Sequence, residues 1–476
     1  MTLHLLIVED DDDFVEELQR TVEDLPGEAE ACVVGSRDDA YEALTSSFFD
    51  LVILDLKIPT VKGALDADPQ HGYAVFNKIR TAAPGTPVLV LTGSPAEDFL
   101  VNHAMKSQQQ VDIWSEGKKR GTIRFLTKYH FDQCPEMLGA VAKAIEGLAS
   151  VEVEGTDVDL RVPEDRLVRI FAKRLRGVRC AVSELGSGLS GARVLRLRVT
   201  DRQGVLLHDA VGKLSTHEDV RREGACYDLD VIRLAPAATP RKLATLEYGA
   251  HSLAGVFFGL AEGADESVFE IARAFPGRAK EIVQSLEVAM RNWIEGVPET
   301  RSTIKNVRRR LLSDQLFDRV LETFGSDWVQ DFERRKIQVR LGCSHGDLHG
   351  KNVLVSPSRT ELIDYADVGE GVASLDAVTL ELSLLFHPDG PGRHGTWPSG
   401  KQARAWGTLD VYLDQCPFPE FVRECRAWAL RSAAGSREVA AAAYGYLVRQ
   451  LTYEDTDKER ALALLEGVRT FYEGCT

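Results

Sequence analysis

The chain has no C-x-x-C pair: its eight cysteines are scattered over 476 residues. That spacing excludes a thiolate zinc site and a dense disulfide framework, and it fits a reducing compartment. No run approaches 18 consecutive apolar residues, and the N-terminus carries no basic stretch followed by an apolar one, so neither a membrane span nor an export signal is expected. A cytoplasmic protein with no membrane partner is the expectation. A lysine and arginine surplus is also missing. The formal charge is −16, which argues against a broad phosphate-backbone footprint, and no helix-turn-helix with a basic recognition helix is present, so no nucleic-acid partner is expected. The basic run RSTIKNVRRRLL (301–312) reads as the solvated face of a helix. Internal repeats and low-complexity segments are lacking too.

The length itself exceeds what one core usually organises, so two or three domains are expected. Over the first 150 residues, short apolar runs alternate with helical patterns: LHLLIV, AEACVV, DLVILD, PVLVLT and TIRFLT each precede a helix. Five strands alternating with five helices predict a doubly wound α/β domain with a parallel sheet at 1–150, and such sheets place ligands at the carboxyl ends of their strands. Two stretches, TVKGALDADPQ (60–70) and SQQQVDIWSEGKKRG (107–121), read as loop insertions. VEVEGTDVDLRVPED (151–165) is polar and reads as an interdomain linker. Beyond it, alternating strand patterns at 166–262 give way to a mostly helical region at 263–476.

Glu9 and Asp10 close the first predicted strand and Asp55 closes the third, so three carboxylates converge on one sheet edge. Convergent carboxylates repel unless a cation lies between them, and magnesium, which prefers oxygen ligands, is the natural occupant. Thr92 ends the fourth strand and Lys128 follows the fifth. Helix capping by the acidic run EDDDD accounts for Asp11 to Asp13 but not for Asp55, Thr92 and Lys128 at strand ends. These residues resemble the response-regulator receiver family, in IVED, VILDLKIP, LTG and FLTK, over roughly residues 1–148. The resemblance implies that Asp55 is the phosphoacceptor and that Glu9 and Asp10 hold Mg2+ with Asp55 and the Lys57 carbonyl. It makes Thr92, Lys128 and Phe125 the switch residues, a cognate histidine kinase the partner, and a homodimer through the last helix and strands the mild expectation. Tyr129 stands where the family usually has proline.

In the second half, HGDLHGKN (345–352) spaces Asp347 and Asn352 five apart, and ELIDY places Asp364 beyond a short strand pair. Phosphoryl transfer needs an acceptor for the attacking hydroxyl's proton and oxygen ligands for the magnesium that bridges nucleotide phosphates. A loop Asp, a loop Asn and a strand-end Asp supply that set. The alternating His345, Asp347 and His349 allow a zinc reading, which lacks a second ligand cluster and leaves Asn352 idle. Upstream, Gly186, Gly188 and Gly191 form G-x-G-x-x-G, Lys213 lies on the next strand pair, and Glu223 follows on a helix, with Glu218 a competing partner for the lysine.

Taken together these residues resemble the protein-kinase-like phosphotransferases of the aminoglycoside phosphotransferase and choline kinase type, over about Ser183 to Pro388. The resemblance implies a bilobal α+β fold with an N-lobe at 166–262 and a C-lobe at 263–476. Asp347 would be the catalytic base, Asn352 and Asp364 the Mg2+ ligands, Lys213 and the Gly186–Gly191 loop the ATP contacts, and His345 and Asp376 braces. The expected function is a receiver regulating an ATP-dependent phosphotransferase that acts on a hydroxyl of an acceptor the sequence leaves unidentified. The runner-up is a receiver–pseudokinase scaffold.

Overall fold

A computed structural model describes residues 1–93, 110–155, 158–187, 192–260, 266–325, 327–356 and 359–475. The chain forms two compact units, Met1–Arg221 with Lys242–Leu260, and Arg222–Arg241 with Ala261–Thr476.

The first unit opens with a parallel five-stranded sheet in the spatial order Ala29–Val34, Leu3–Val8, Leu51–Leu54, Val88–Thr92 and Ile123–Thr127. The strands are continuous apolar runs because both faces of the sheet are covered. Side chains alternate between those faces. Leu3, Leu5 and Ile7 enter one core, whereas Leu6 and Val8 enter the other, beneath the helices Arg37–Ser46 and Pro69–Ala82. Side-chain caps from Asp11, Ser36 and Asp68 start three of the helices by accepting their first free N–H groups.

A second sheet of six strands follows in the order Arg241–Leu246, Leu253–Gly259, Leu206–Thr216, Arg193–Thr200, Arg179–Ser187 and Glu152–Gly155. The stretch 151–165, expected as a linker, contributes to this unit. Glu152–Gly155 pairs in parallel with Arg179–Val182, and a helix begins at Val162, where the Glu164 carboxylate accepts the Arg161 backbone N–H at 2.9 Å. Its valines alternate with acids, so one face of the short strand can pack while the acids face water.

The two sheets share one hydrophobic core. Leu5, Ile7 and Leu91 of the parallel sheet lie in the same cluster as Leu167, Ile170 and Phe171 of the helix Val162–Arg174 and as Leu195, Leu197 and Phe257 of the second sheet. Phe171 stacks on Phe257 with ring centroids 4.1 Å apart. The helix Cys134–Ala149 adds Leu138, Val141 and Ile145 to this core and packs against Val162–Arg174. A buried ion pair reinforces the contact: Arg166 donates to both Asp50 oxygens, at 2.9 and 3.1 Å, and to the Thr2 carbonyl at 2.7 Å.

The second unit is mostly helical. The helix Leu375–Phe386 is buried along its whole length, with apolar residues on every side of it. Two small sheets frame the candidate loop. Lys336–Ser344 pairs with Gly369–Val372 and leads into the loop, and Val353–Val355 pairs with Thr360–Leu362 and leads out of it. Among the described residues no helix is long and apolar enough to cross a membrane.

Candidate functional site

Because parallel strands end at a common edge, the residues that follow Val8 and Leu54 converge. Carboxylate oxygens of Glu9, Asp10 and Asp55 lie within 4.8 Å of one another, with Glu9 and Asp55 buried and Asp10 exposed. Lys128, directly after the edge strand, bridges two of them: its ammonium donates to Glu9 Oε1 at 2.9 Å and to Asp55 Oδ2 at 2.8 Å. The other Asp55 oxygen accepts the backbone N–H groups of Leu56 at 2.6 Å and Lys57 at 3.3 Å, which fixes the carboxylate's orientation.

Burial, then the charge of Asp55, pushes the Glu9 carboxyl up to about 7 against the opposing pull of Lys128. Burial also raises Asp10. Burial works to lower the Lys128 ammonium, yet hydrogen bonds and charge from Asp55 and Glu9 prevail and its pKa rises. One ammonium facing three carboxylates leaves excess negative charge when all are ionised, and an all-oxygen donor set this compact fits Mg2+. Phe125 is half-buried against the second core. Thr92 ends its strand, and its side chain lies outside the described residues.

The second constellation is held by backbone geometry. Gly346 has φ +79°, and a Cβ there would meet the Asp367 carbonyl at 2.4 Å, so only glycine fits the start of the loop. Buried Asp376 accepts the His345 N–H at 2.8 Å and the Gly346 N–H at 3.1 Å. The His345 ring reaches the Ile363 carbonyl at 3.0 Å, tying the loop to the segment that carries Asp364. Asn352 is buried, donates to the Asp347 carbonyl at 3.0 Å, and accepts the Ile363 N–H on its own carbonyl at 3.0 Å. Asp364 itself has φ +65°, a left-handed conformation that aspartate tolerates better than most residues. Hydrogen bonds thus tie the loop that carries Asp347 and Asn352 to Ile363, the residue before Asp364. Asn352 Nδ2 is committed to the loop, which leaves its amide oxygen as the atom to meet a cation.

Three neighbours of Asp347 modify it. Arg449, from the helix Ser436–Gln450, approaches Asp347 Oδ1 at 3.3 Å and also donates to the Tyr453 hydroxyl at 3.0 Å. His349 Nε2 lies 3.7 Å from the other Asp347 oxygen. Burial, then the charge of His345, holds His349 down to about 4, and burial holds His387 to about 4 as well, so both are neutral imidazoles at neutral pH. Their rings lie 4.2 Å apart. Lys351 pairs with Glu270 at 3.2 Å. Glu223 is buried and accepts the Tyr365 N–H at 3.4 Å, beside Asp364. The zinc reading of His345, Asp347 and His349 gains no support: among the described residues, Glu9, Asp10 and Asp55 are the one cluster of three or more His, Cys, Asp or Glu side chains whose ligand atoms lie close enough to share an ion.

In the first unit, Lys213 is buried in the strand Leu206–Thr216, opposite Val194 and Val256 on its two neighbours. Gly186 pairs with Val194 near the end of its strand. Gly188 and Gly191 lie outside the described residues.

The family profile described as a response regulator receiver domain matches residues 5–111. These residues form a receiver domain. No curated protein matches the chain. Among solved structures, a signal receiver domain from Pseudomonas fluorescens Pf-5 is 24% identical, covering 31% of this chain and 97% of its own, with TM-score 0.22. Over the rest of the chain the structural neighbours are kinases. A glucosamine kinase in complex with glucosamine, ADP and inorganic phosphate is 15% identical, covering 66% of this chain and 85% of its own, with TM-score 0.34. An aminoglycoside phosphotransferase is 14% identical, covering 61% and 94%, with TM-score 0.36. The chemistry of the second site rests on its own residues.

Arg449 and His387 were not legible from the sequence. Arg449 sits 102 positions from Asp347, and nothing local marks either residue. Arg166 was equally silent, one basic residue among several on its helix.

Proposed function

We propose that this chain is a signalling enzyme in which a phosphorylatable receiver domain regulates an attached ATP- and Mg2+-dependent phosphotransferase acting on a hydroxyl group. The observation that carries this reading is the bonded network at the second site. Asn352 holds the Asp347 carbonyl, His345 holds the strand leading to Asp364, and Asp376 holds the turn before Asp347. Backbone segments tied together in this way would carry a base and two oxygen ligands, the positioning on which phosphoryl transfer chiefly depends.

In this reading Asp347 accepts the proton of the attacking hydroxyl. Asn352 and Asp364 would hold magnesium, which when bound neutralises charge on the nucleotide phosphates. Lys213 and the segment after Gly186 serve the nucleotide. At the receiver, Glu9, Asp10 and Asp55 would hold the cation, and Asp55 takes the phosphoryl group from a cognate histidine kinase. Lys128, already on Asp55, is placed to engage the added oxygens. The acceptor is a small molecule or a protein hydroxyl. The neutral pair His349 and His387 beside Asp347 favours an acceptor approached through hydrogen bonds rather than through opposite charge.

One observation favours the alternative, a receiver–pseudokinase scaffold: the Asp347 carboxylate is already engaged by Arg449. Calorimetry with Mg-ATP and measurement of phosphoryl transfer in the full chain and in Asp347→Ala separate the two. The enzyme reading expects nucleotide binding in both proteins and transfer only in the parent. Binding without any transfer supports the scaffold, and no binding removes both.

A further inference from the structure

The acidic run that opens the receiver ends on an aromatic residue, Phe14. Phe14 begins the apolar stripe of the helix Asp12–Glu23, and Leu18 and Val22, which continue the stripe, are buried in the core shared with the second sheet. Asp11 caps this helix and accepts the Phe14 N–H at 3.3 Å, which sets the ring beside the cluster of Glu9, Asp10 and Asp55.

There the ring meets Lys128. Its centroid lies 4.5 Å from the Lys128 ammonium, inside the range of a cation–π contact. The ammonium donates to Glu9 at 2.9 Å and to Asp55 at 2.8 Å, and the ring face is its further partner. The ring is held in turn. Phe131, in the short helical turn Lys128–Gln133, packs edge-to-face against Phe14 with centroids 5.0 Å apart and planes at 67°. Lys128 and Phe131 therefore close on Phe14 as a pair, and their turn runs directly into the helix Cys134–Ala149. Both aromatics are half-buried against the shared core.

The partners of Lys128 differ in one respect. Glu9 and Asp55 belong to the oxygen set that fits Mg2+, and a divalent ion drawing on their charge weakens their hold on the ammonium. An aromatic face is uncharged, offers none of the oxygen ligands Mg2+ requires, and attracts a cation through its quadrupole. Among the described residues, the ring is the partner of Lys128 that the metal does not contest.

We propose that Phe14 is a positioning residue for phosphorylation of Asp55, its ring keeping the Lys128 ammonium over the phosphoacceptor while the carboxylates serve Mg2+. This rests on the reading of Asp55 as the phosphoacceptor. In that step an Asp55 oxygen forms a bond to phosphorus as the bond from phosphorus to the donor's leaving group breaks, and the leaving group departs with the electron pair. Lys128 keeps its proton and offsets the charge on the phosphoryl oxygens. An ammonium already in place spares the cost of ordering a long side chain during the reaction. Leucine at position 14 would fill the space without the quadrupole, and tyrosine would keep the ring.

The test is NMR of the full chain carrying lysine isotopically labelled at Cε, together with the rate of labelling by radiolabelled acetyl phosphate and Mg2+. Protons over an aromatic face are shifted upfield by its ring current. The proposal expects the Lys128 ε-CH2 resonance, identified by its loss in Lys128→Met, to lie upfield of the other lysines and to stay there when Mg2+ replaces EDTA. It expects Phe14→Leu to return that resonance to its ordinary position and Phe14→Tyr to keep it upfield. Phe14→Leu is expected to slow the Asp55-dependent labelling by roughly threefold to tenfold, and Phe14→Tyr to label within about twofold of the parent. An unshifted resonance in the parent, its return to the ordinary position on adding Mg2+, or labelling of Phe14→Leu at the parental rate overturns the proposal alone. Label in the parent that Asp55→Ala fails to remove, or no label at all, overturns the phosphoacceptor reading and the proposal with it.

Discussion

Removing the Arg166 guanidinium tests whether the receiver and the second sheet are one folded body. Asp50 is 1% exposed and Arg166 3% exposed, so neither has water to fall back on. Arg166→Ala deletes the bonds of 2.9 and 3.1 Å to Asp50 and the 2.7 Å bond to the Thr2 carbonyl. Asp50 then keeps the His4 N–H at 2.9 Å, a single neutral donor for a buried negative charge. Breaking a buried pair from one side costs about 3–5 kcal/mol, several times the value of a surface pair. Much of that cost is the stranded charge, so Arg166→Met combined with Asp50→Asn, which keeps an acceptor for His4 and carries no charge, is expected to recover more than half of it. The assay is urea denaturation of the full chain, with hydrogen exchange followed in peptides covering Leu3–Val8 and Val162–Arg174. Both peptides are expected to lose protection together in Arg166→Ala. A loss below about 1 kcal/mol, or exchange that rises in one peptide and not the other, would refute the reasoning.

Four further outcomes follow from the sites. Glu9 is pushed up to about 7, so below that pH the folded protein holds it protonated and the cation must displace a proton. Apparent Mg2+ affinity is therefore expected to fall by up to tenfold per unit as pH drops from 8 to 6, and Glu9→Gln to abolish that slope, both read by calorimetry. Because the folded pKa lies above the unfolded one, the magnesium-free protein loses Glu9's contribution to stability as pH rises from about 4.5 through 7. A melting-temperature series with and without Mg2+ is expected to diverge over that window. Gly346→Ala, which combines φ +79° with a 2.4 Å approach to the Asp367 carbonyl, is expected to destabilise the second unit by roughly 2 kcal/mol or more in denaturant unfolding. Arg449→Gln removes the guanidinium that meets Asp347 Oδ1 at 3.3 Å and helps to orient it, so the kcat of any transfer activity is expected to fall several-fold, with Arg449→Lys restoring part of it.

Much of this organisation could be read from the chain. Carboxylates at the ends of apolar runs, as in IVED and VILD, imply convergence only if the strands are parallel, and the alternation of strand and helix patterns already required that. The loop HGDLHGKN and the later ELIDY carried Asp347, Asn352 and Asp364 within two short windows, so local spacing was enough to propose a site. The role of 151–165 escaped because a four-residue edge strand, Glu152–Gly155, carries too little periodicity to stand out from polar surroundings. The shared core escaped for a different reason. Leu167, Ile170 and Phe171 form a helical stripe whose partner a sequence does not name, and Arg166 beside them looks like any exposed helix arginine. Arg449 met Asp347 only through tertiary packing.

The central claim is that the phosphotransferase answers to the receiver, and the most direct measurement is turnover of radiolabelled Mg-ATP by the full chain before and after phosphorylation of the receiver with a small-molecule phosphodonor. The account predicts transfer that disappears in Asp347→Ala and that changes in rate when the receiver is phosphorylated, with no such change in Asp55→Ala. Turnover that is indifferent to Asp347, or identical with and without a phosphoryl group on Asp55, would contradict it.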